Sequence, residues 1–171
     1  MEKVYGTYTL ALECINTFTN KWRVRWGQSS ETKTDSESNM TTKNFFYEEE
    51  FVGVKPSLDE IKDIVVAYYN SLCDKEILSG FQYNGNMVWL SAENQFNYKA
   101  AFDFAFQLKI LGQEYSPVTF KLGDVEAPVY ETFNTFTDLQ AFVISVFTYI
   151  NQTLAKFWTI KDSINWSDYE I

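Results

Sequence analysis

Apolar and polar residues alternate along the first 54 residues, whereas the rest of the chain mostly carries apolar residues at helical spacing. Residues 3–12, 20–27 and 44–54 have the period-two pattern of strands. We therefore expect a small antiparallel sheet of two or three strands over residues 1–54. The polar run 28–43 has too few apolar residues to bury, so we expect a flexible loop there.

The strand predicted at residues 20–27 has two contrasting faces. Trp22, Val24 and Trp26 share one face, and the other carries three cations, Lys21, Arg23 and Arg25. One interpretation is a basic and aromatic binding strip. The other is a half-buried strand whose cations reach into solvent along its exposed face.

A first helix is predicted from Ser57 to about Cys73. Ser57 and Glu60 have the spacing of a capping box, in which each residue satisfies a backbone N–H of the other. A hairpin should follow at Asn84-Gly85, because both central residues of the favoured two-residue turn need a positive φ. We expect Trp89, directly after this hairpin, to anchor it in the core.

A second helix should begin after Ser91 and end at Gly112. It is apolar nearly all round, since one stripe contains Phe96, Ala100, Phe104 and Leu108 and another contains Tyr98, Phe102 and Phe106. Such a helix is either enclosed in a core or partly covered by a partner. Both alternatives stay open, and for the second we take the side of Tyr98, Phe102 and Phe106 as the contact surface.

The remainder predicts two strands, 117–122 and 127–133, and a long third helix that starts at a capping box of Thr137 and Gln140. One face of this helix is apolar throughout, at Leu139, Phe142, Val143, Val146, Ile150, Leu154 and Phe157. We expect it to be the spine of the core. Hairpins between helices, without a βαβ repeat, indicate an α+β fold with antiparallel sheet. The predicted domains are 1–54 and an α+β core domain, 57–171.

Composition narrows the function. The 171 residues carry a net charge of −9, which argues against nucleic acid and anionic membranes as partners. The start, MEKVYGTYTL, lacks a signal-peptide pattern, so we expect a soluble protein made in a cytoplasm. Aromatic residues make up 18% of the chain, more than a simple core needs, and this surplus favours protein interfaces or glycan surfaces.

Catalytic patterns are missing from the sequence. The chain has no histidine, so the commonest general base and metal ligand is lacking, and no phosphate-binding glycine motif occurs. Cys14 and Cys73 lack metal-site spacing, and they are either two thiols or a pair. We predict no enzyme activity, no catalytic or metal-binding residues and no cofactor.

Several short motifs in the second part of the chain occur together in one known family. They are Asn84-Gly85, Val88-Trp89-Leu90, Ser91 to Gln95, Pro117 to Gly123 and Trp166 to Tyr169. The long third helix is a further shared feature. From about Ser57 to Tyr169 the chain resembles a domain family of unknown function in tailed phages and prophages of Bacteroides-type gut bacteria, associated with tail fibres or their assembly. The resemblance implies a virion component or assembly factor of a tailed phage, such as a crAss-like one, with residues 1–54 as an attachment module.

Three hypotheses for function follow. The first is a structural adaptor in a head, tail or fibre that binds other phage proteins or itself, with Tyr98, Phe102, Phe106, Trp22 and Trp26 as candidate interface residues. Its location would be the virion, and we expect a homo-oligomer. The second is a tail-fibre assembly chaperone. The third is a glycan-binding module, which requires coplanar exposed aromatic side chains such as Trp22 and Trp26.

Overall fold

Helices and antiparallel strands are mixed along the chain, and the computed structural model describes residues 3–7, 10–34, 40–124 and 126–170. The strands are β1 (Val4–Tyr5), β2 (Leu12–Asn16), β3 (Lys21–Thr34), β4 (Met40–Val52), β5 (Gln82–Tyr83), β6 (Asn86–Met87), β7 (Val118–Gly123) and β8 (Pro128–Phe133). The helices are α1 (Leu58–Ser79), α2 (Ala92–Ile110) and α3 (Phe136–Asp162), and a 3₁₀ turn follows at Trp166–Tyr169. The predicted α+β class with antiparallel sheets and a long C-terminal helix is confirmed.

The described chain divides into two compact units, residues 1–68 with 163–171, and residues 69–162. The sequence placed the boundary earlier, between residues 54 and 57, and kept the C-terminus with the second domain. The boundary lies inside α1 because the first half of that helix packs on the first unit's sheet. The Tyr68 ring lies 5.6 Å from that of Trp26 and 4.6 Å from that of Tyr47.

The first unit contains a four-stranded antiparallel sheet in the order β1-β4-β3-β2, one or two strands more than the sequence indicated. Its strands alternate as expected, since Val24 and Trp26 are buried. Tyr169, the last residue of the 3₁₀ turn, is also buried and donates its hydroxyl hydrogen to the Arg25 carbonyl oxygen at 2.9 Å. This bond joins the end of the chain to β3.

The prediction of a loop over residues 28–43 is wrong for residues 28–34 and 40–43, which continue β3 and β4 as a paired ribbon. The remaining residues of that prediction, 35–39, lie outside the described part of the chain. Thr32 pairs with Thr42, with their hydroxyl oxygens 3.1 Å apart, and Glu31 pairs with Lys43. A ribbon exposed on both faces needs no apolar alternation, so its sequence shows no strand pattern.

The core of the second unit is built on α3, as predicted. Phe142, Val146 and Leu139 are fully buried, and Val143, Ile150 and Phe157 nearly so, while Leu154 is partly buried at the edge. α3 packs in this cluster with Val88 and Leu90 from the hairpin segment and with Leu122 and Phe133 from β7 and β8. The long helix therefore is the spine of this unit.

Capping boxes were predicted at the starts of α1 and α3. The capping box of Ser57 and Glu60 is confirmed, with Ser57 N–H donating to the Glu60 carboxylate at 2.7 Å. The box that caps α3 is two residues earlier than predicted, since Thr135 and Asp138 make it rather than Thr137 and Gln140.

The hairpin around Asn84-Gly85 is also confirmed, because the two residues have φ values of 50° and 78°. The expectation that Trp89 anchors this hairpin in the core is wrong, and 44% of Trp89 is exposed. Val88 and Leu90 both point inward, so the residue between them in extended chain points outward.

Candidate interaction surfaces

Helix α2 has well-defined ends, as the sequence predicted. At its start Ser91 Oγ accepts a hydrogen bond from Asn94 N–H at 3.2 Å. At its end Gly112 adopts a φ of 67°, and its N–H donates to the Lys109 carbonyl oxygen at 3.2 Å. Gln113 N–H closes the motif on the Leu108 carbonyl oxygen at 2.9 Å. The side chains of α2 are therefore presented by a regular helix over its whole length.

The inner side of α2 carries Tyr98, which is only 2% exposed. Its ring lies 4.6 Å from that of Phe120 and 5.1 Å from that of Phe142, both in edge-to-face geometry. Burial raises the pKa of the Tyr98 hydroxyl. The prediction of Tyr98 as an interface residue is therefore wrong, because this residue is a core contact between α2, β7 and α3.

On one flank of α2, Phe102 and Phe106 form a row of three rings with Phe136, the first residue of α3. Phe102 stacks on Phe136 at 5.7 Å and on Phe106 at 6.2 Å between ring centroids, and Lys109 Nζ lies 4.4 Å from the centroid of Phe136. Phe102 is half-buried and Phe106 is 43% exposed. Of the three α2 residues predicted at an interface, these two border solvent, and Phe106 is the more accessible.

The outer side of α2 is more exposed than either of the other two. Phe96 is 70% exposed and Phe104 is 63% exposed, with Ala100 exposed between them and Leu111 exposed beyond the helix end. We call the surface formed by Phe96, Ala100, Phe104 and Leu111 the α2 outer face.

The sequence separated the two stripes of α2 and took the stripe of Tyr98 as the contact surface, whereas the structure leaves the stripe of Phe96 and Phe104 the more exposed. The polar residues Lys99, Asp103 and Gln107 recur every four positions, and on a helix this row lies beside Phe96 and opposite Tyr98. All three are exposed. This polar row is the feature of the sequence that indicates which side of α2 faces solvent.

The two tryptophans predicted at an interface differ in the structure. Trp26 is 4% exposed, so its assignment to an interface is wrong, because its strand face is covered within the first unit. Trp22 is half-buried, its indole N–H donates to Asn20 Oδ1 at 2.8 Å, and Lys55 Nζ lies 5.2 Å from its ring centroid. The glycan hypothesis needed two exposed coplanar rings, and this pair does not supply them.

The opposite face of β3 is a ladder of ion pairs. Arg23 Nη2 lies 2.6 Å from Glu50, and Arg25 Nη1 lies 2.9 Å from Glu13. The hydrogen bond that Arg23 donates to Glu50 raises the pKa of the Arg23 guanidinium, and hydrogen bonds from Lys21 and Arg23 lower the pKa of Glu50. The cations are thus neutralised by carboxylates of neighbouring strands, so this face is not a basic binding strip.

An exposed aromatic side chain also occurs at a turn of the first unit. Phe18, in the turn between β2 and β3, is 100% exposed. Its turn is ordered by Asn16 Oδ1, which accepts hydrogen bonds from Phe18 N–H at 2.9 Å and Thr19 N–H at 3.2 Å. The sequence analysis missed this residue, because a single phenylalanine in a polar turn has no periodic pattern.

The first unit also contains a cleft of about 350 Å³ whose lining includes Arg25, Trp26 and Asp168. Arg25 is bound to Glu13, and Asp168 accepts a hydrogen bond from Asn165 Nδ2 at 2.7 Å. The charged groups of the cleft are therefore used within the fold.

Other potential sites are limited in the described part of the chain. Its carboxylates and thiols form no group of three or more that could hold a metal ion. Cys14 and Cys73 are both free, and burial raises the pKa of Cys73. Among the helices of the described residues, none has the length and apolar character needed to cross a membrane.

Comparison of the chain with family models, with curated proteins and with solved structures found no match.

Proposed function

We propose that the protein is a non-enzymatic adaptor that holds other proteins together in the virion of a tailed phage. The observation that carries this proposal is the α2 outer face, where Phe96 and Phe104 are exposed on a helix with well-ordered ends. Contiguous exposed apolar surface on a folded protein marks a binding site, and exposed phenylalanine is typical of protein interfaces.

The electrostatics fit a protein partner as well. The net charge of −9 disfavours nucleic acid, and the three cations at the start of β3 are neutralised by Glu13, Glu48 and Glu50. The phage context is supported by the resemblance of residues 57–169 to a phage domain family. An adaptor requires binding surfaces and no reaction chemistry, which agrees with the sequence.

Cross-linking of purified particles of the encoding phage tests this function. Lys99 is exposed beside the α2 outer face, so amine-reactive cross-links from Lys99 to other virion proteins are expected. Lys33, exposed on the β3–β4 ribbon, is the internal comparison for random reaction. Absence of the protein from particles, together with binding to fibre polypeptides in infected cells, would replace the adaptor with an assembly chaperone. Absence from both would refute a phage assembly role altogether.

A further inference from the structure

We infer that the α2 outer face binds a second copy of this chain, with the two α2 helices packed antiparallel across a twofold axis at Ala100. This inference rests on the proposed function, because it assigns a partner to the surface that carries it. Three features of α2 support a second copy: the symmetry of its apolar positions, its flanking charges and the area it exposes.

Two apolar positions of the α2 outer face, Phe96 and Phe104, are symmetric about Ala100, whereas Leu111 lies outside this symmetry. Phe96 and Phe104 lie four residues before and after it, so on a helix each is about 6 Å along the axis and about 40° to one side of Ala100. A twofold axis through an antiparallel pair exchanges these two positions. Each Phe96 then lies beside the partner copy's equivalent of Phe104, and the small Ala100 at the centre lets the helices approach closely.

The charges next to this face are complementary under the same operation. Lys99 and Asp103 form an ion pair along one flank of α2. The twofold axis keeps this flank on the same side in both copies and reverses its direction. Lys99 of one copy then lies within about 3 Å, measured along the axis, of the level of Asp103 in the other. Two lysines and two aspartates thus form a neutral group of four at the centre of the pair.

A second polar pair follows the same symmetry. Glu93 and Gln107 lie seven residues before and after Ala100, and both are exposed. Antiparallel pairing brings Glu93 opposite Gln107 of the second copy, where the amide can donate to the carboxylate. By the same geometry the two Lys99 side chains also lie about 3 Å apart along the axis, so their repulsion is offset by the two aspartates beside them in the neutral group of four.

The exposed area fits a weak dimer. Phe96 and Phe104 are about two thirds exposed, which corresponds to roughly 130 Å² for each ring. The four rings of a dimer therefore bury on the order of 500 Å², and the flanking polar residues bring the total toward the low end of specific interfaces. We expect a dimer that dissociates on dilution.

Sedimentation velocity of the full chain from about 1 to 500 μM tests the dimer. The expected result is a shift from a 20.0 kDa monomer toward twice that mass as the concentration rises. Phe104→Ser should raise the dissociation constant at least about tenfold. Ile144→Ser is the matched control, because Ile144 is 57% exposed on α3 of the same unit. Both variants should keep the far-ultraviolet circular dichroism spectrum and melting temperature of the parent protein.

Charge exchange distinguishes a second copy from any other partner. Lys99→Asp alone should weaken the dimer about three- to tenfold, because it brings four carboxylates together. The double variant Lys99→Asp with Asp103→Lys should restore it to within about threefold of the parent, since the group of four is again neutral. A protein that stays monomeric at 500 μM, or a dimer insensitive to Phe104→Ser, overturns the inference.

The two proposals fail in different ways. A monomer that still cross-links through Lys99 to other virion proteins would remove the second copy and leave the adaptor. A dimer of this geometry that is absent from particles would keep the second copy as partner and remove the adaptor.

Discussion

Replacement of Phe142 is the sharpest test of how the second unit is held together. Phe142 lies on α3 with no solvent exposure. Four aromatic rings surround it with centroids between 4.9 and 5.7 Å away, those of Tyr83, Tyr98, Phe120 and Phe133. These rings come from β5, α2, β7 and β8, so one side chain connects most elements of this unit.

The expected cost can be worked from this environment. Phe142→Ala removes a fully buried ring and leaves a cavity, which costs about 3–5 kcal/mol. Phe142→Leu keeps most of the apolar volume, and such swaps usually cost under about 1.5 kcal/mol. It also loses the ring–ring contacts, whose contributions are not additive, so we expect a net loss of about 1–2 kcal/mol. For a unit of this size, 1 kcal/mol corresponds to about 4–8 °C in melting temperature.

Thermal unfolding followed by near-ultraviolet circular dichroism is the suitable assay, because buried aromatic rings such as those of this cluster contribute to that signal. Phe142→Leu should lower the melting temperature by roughly 4–16 °C. Phe104→Leu makes the same chemical change at an exposed position and should stay within about 0.5 kcal/mol of the parent. Equal effects of the two variants would refute the assignment of Phe142 to the core and of Phe104 to the surface.

Three further changes test local features. Glu60→Gln keeps the length of the capping side chain and removes its titratable group. In the parent protein, hydrogen bonds from Ser57 lower the pKa of Glu60. The parent's stability advantage should therefore be complete above about pH 4.3 and disappear as the pH falls through the lower folded-state value, in urea titrations at pH 3–6; an advantage that grows on acidification contradicts this. Gly80→Ala should cost about 1–3 kcal/mol, because its Cβ would lie 2.6 Å from a backbone carbonyl oxygen one turn earlier and would also collide with Tyr149 Oη. Adding Tyr149→Phe should recover only part of that loss in chemical denaturation. Asn84→Gly should be nearly neutral and Asn84→Val should cost about 1–3 kcal/mol, since the residue has a φ of 50°; similar melting temperatures for the two would argue against the turn.

Elements with one buried face could be predicted from the sequence. α3 was placed correctly because the apolar stripe from Leu139 to Phe157 is continuous, and the hairpin at Asn84 because few residues accept a positive φ. The β3–β4 ribbon between Gln28 and Asn44 could not be predicted in the same way. Its strands are stabilised by pairing with each other, and both faces meet solvent. The sequence of the ribbon therefore has no periodic pattern of apolar residues from which strands could be predicted.

For α2, the sequence predicted the two apolar stripes but not which of them faces the core. A helix apolar on two sides has two possible inner faces, and the choice between them depends on neighbours that are distant in sequence. Tyr98 is inward because Phe120 and Phe142 offer it edge-to-face contacts, and neither residue is near it in the chain. Local periodicity reports the existence of both stripes without reporting which of them meets β7 and α3.

The fold itself does not account for the residues of the α2 outer face. Phenylalanine has a lower helix propensity than alanine, glutamate or lysine, so exposed helix positions gain no stability from it. Phe96 and Phe104 bury about a third of their surface in the unit, so they contribute far less to the core than Tyr98, which is almost fully buried. Exposed rings also favour non-specific association, which is a cost in solution. The proposed contact outside the chain would account for two such residues placed symmetrically about Ala100 with an ion pair alongside, and the symmetry of the pattern is what a second copy would match.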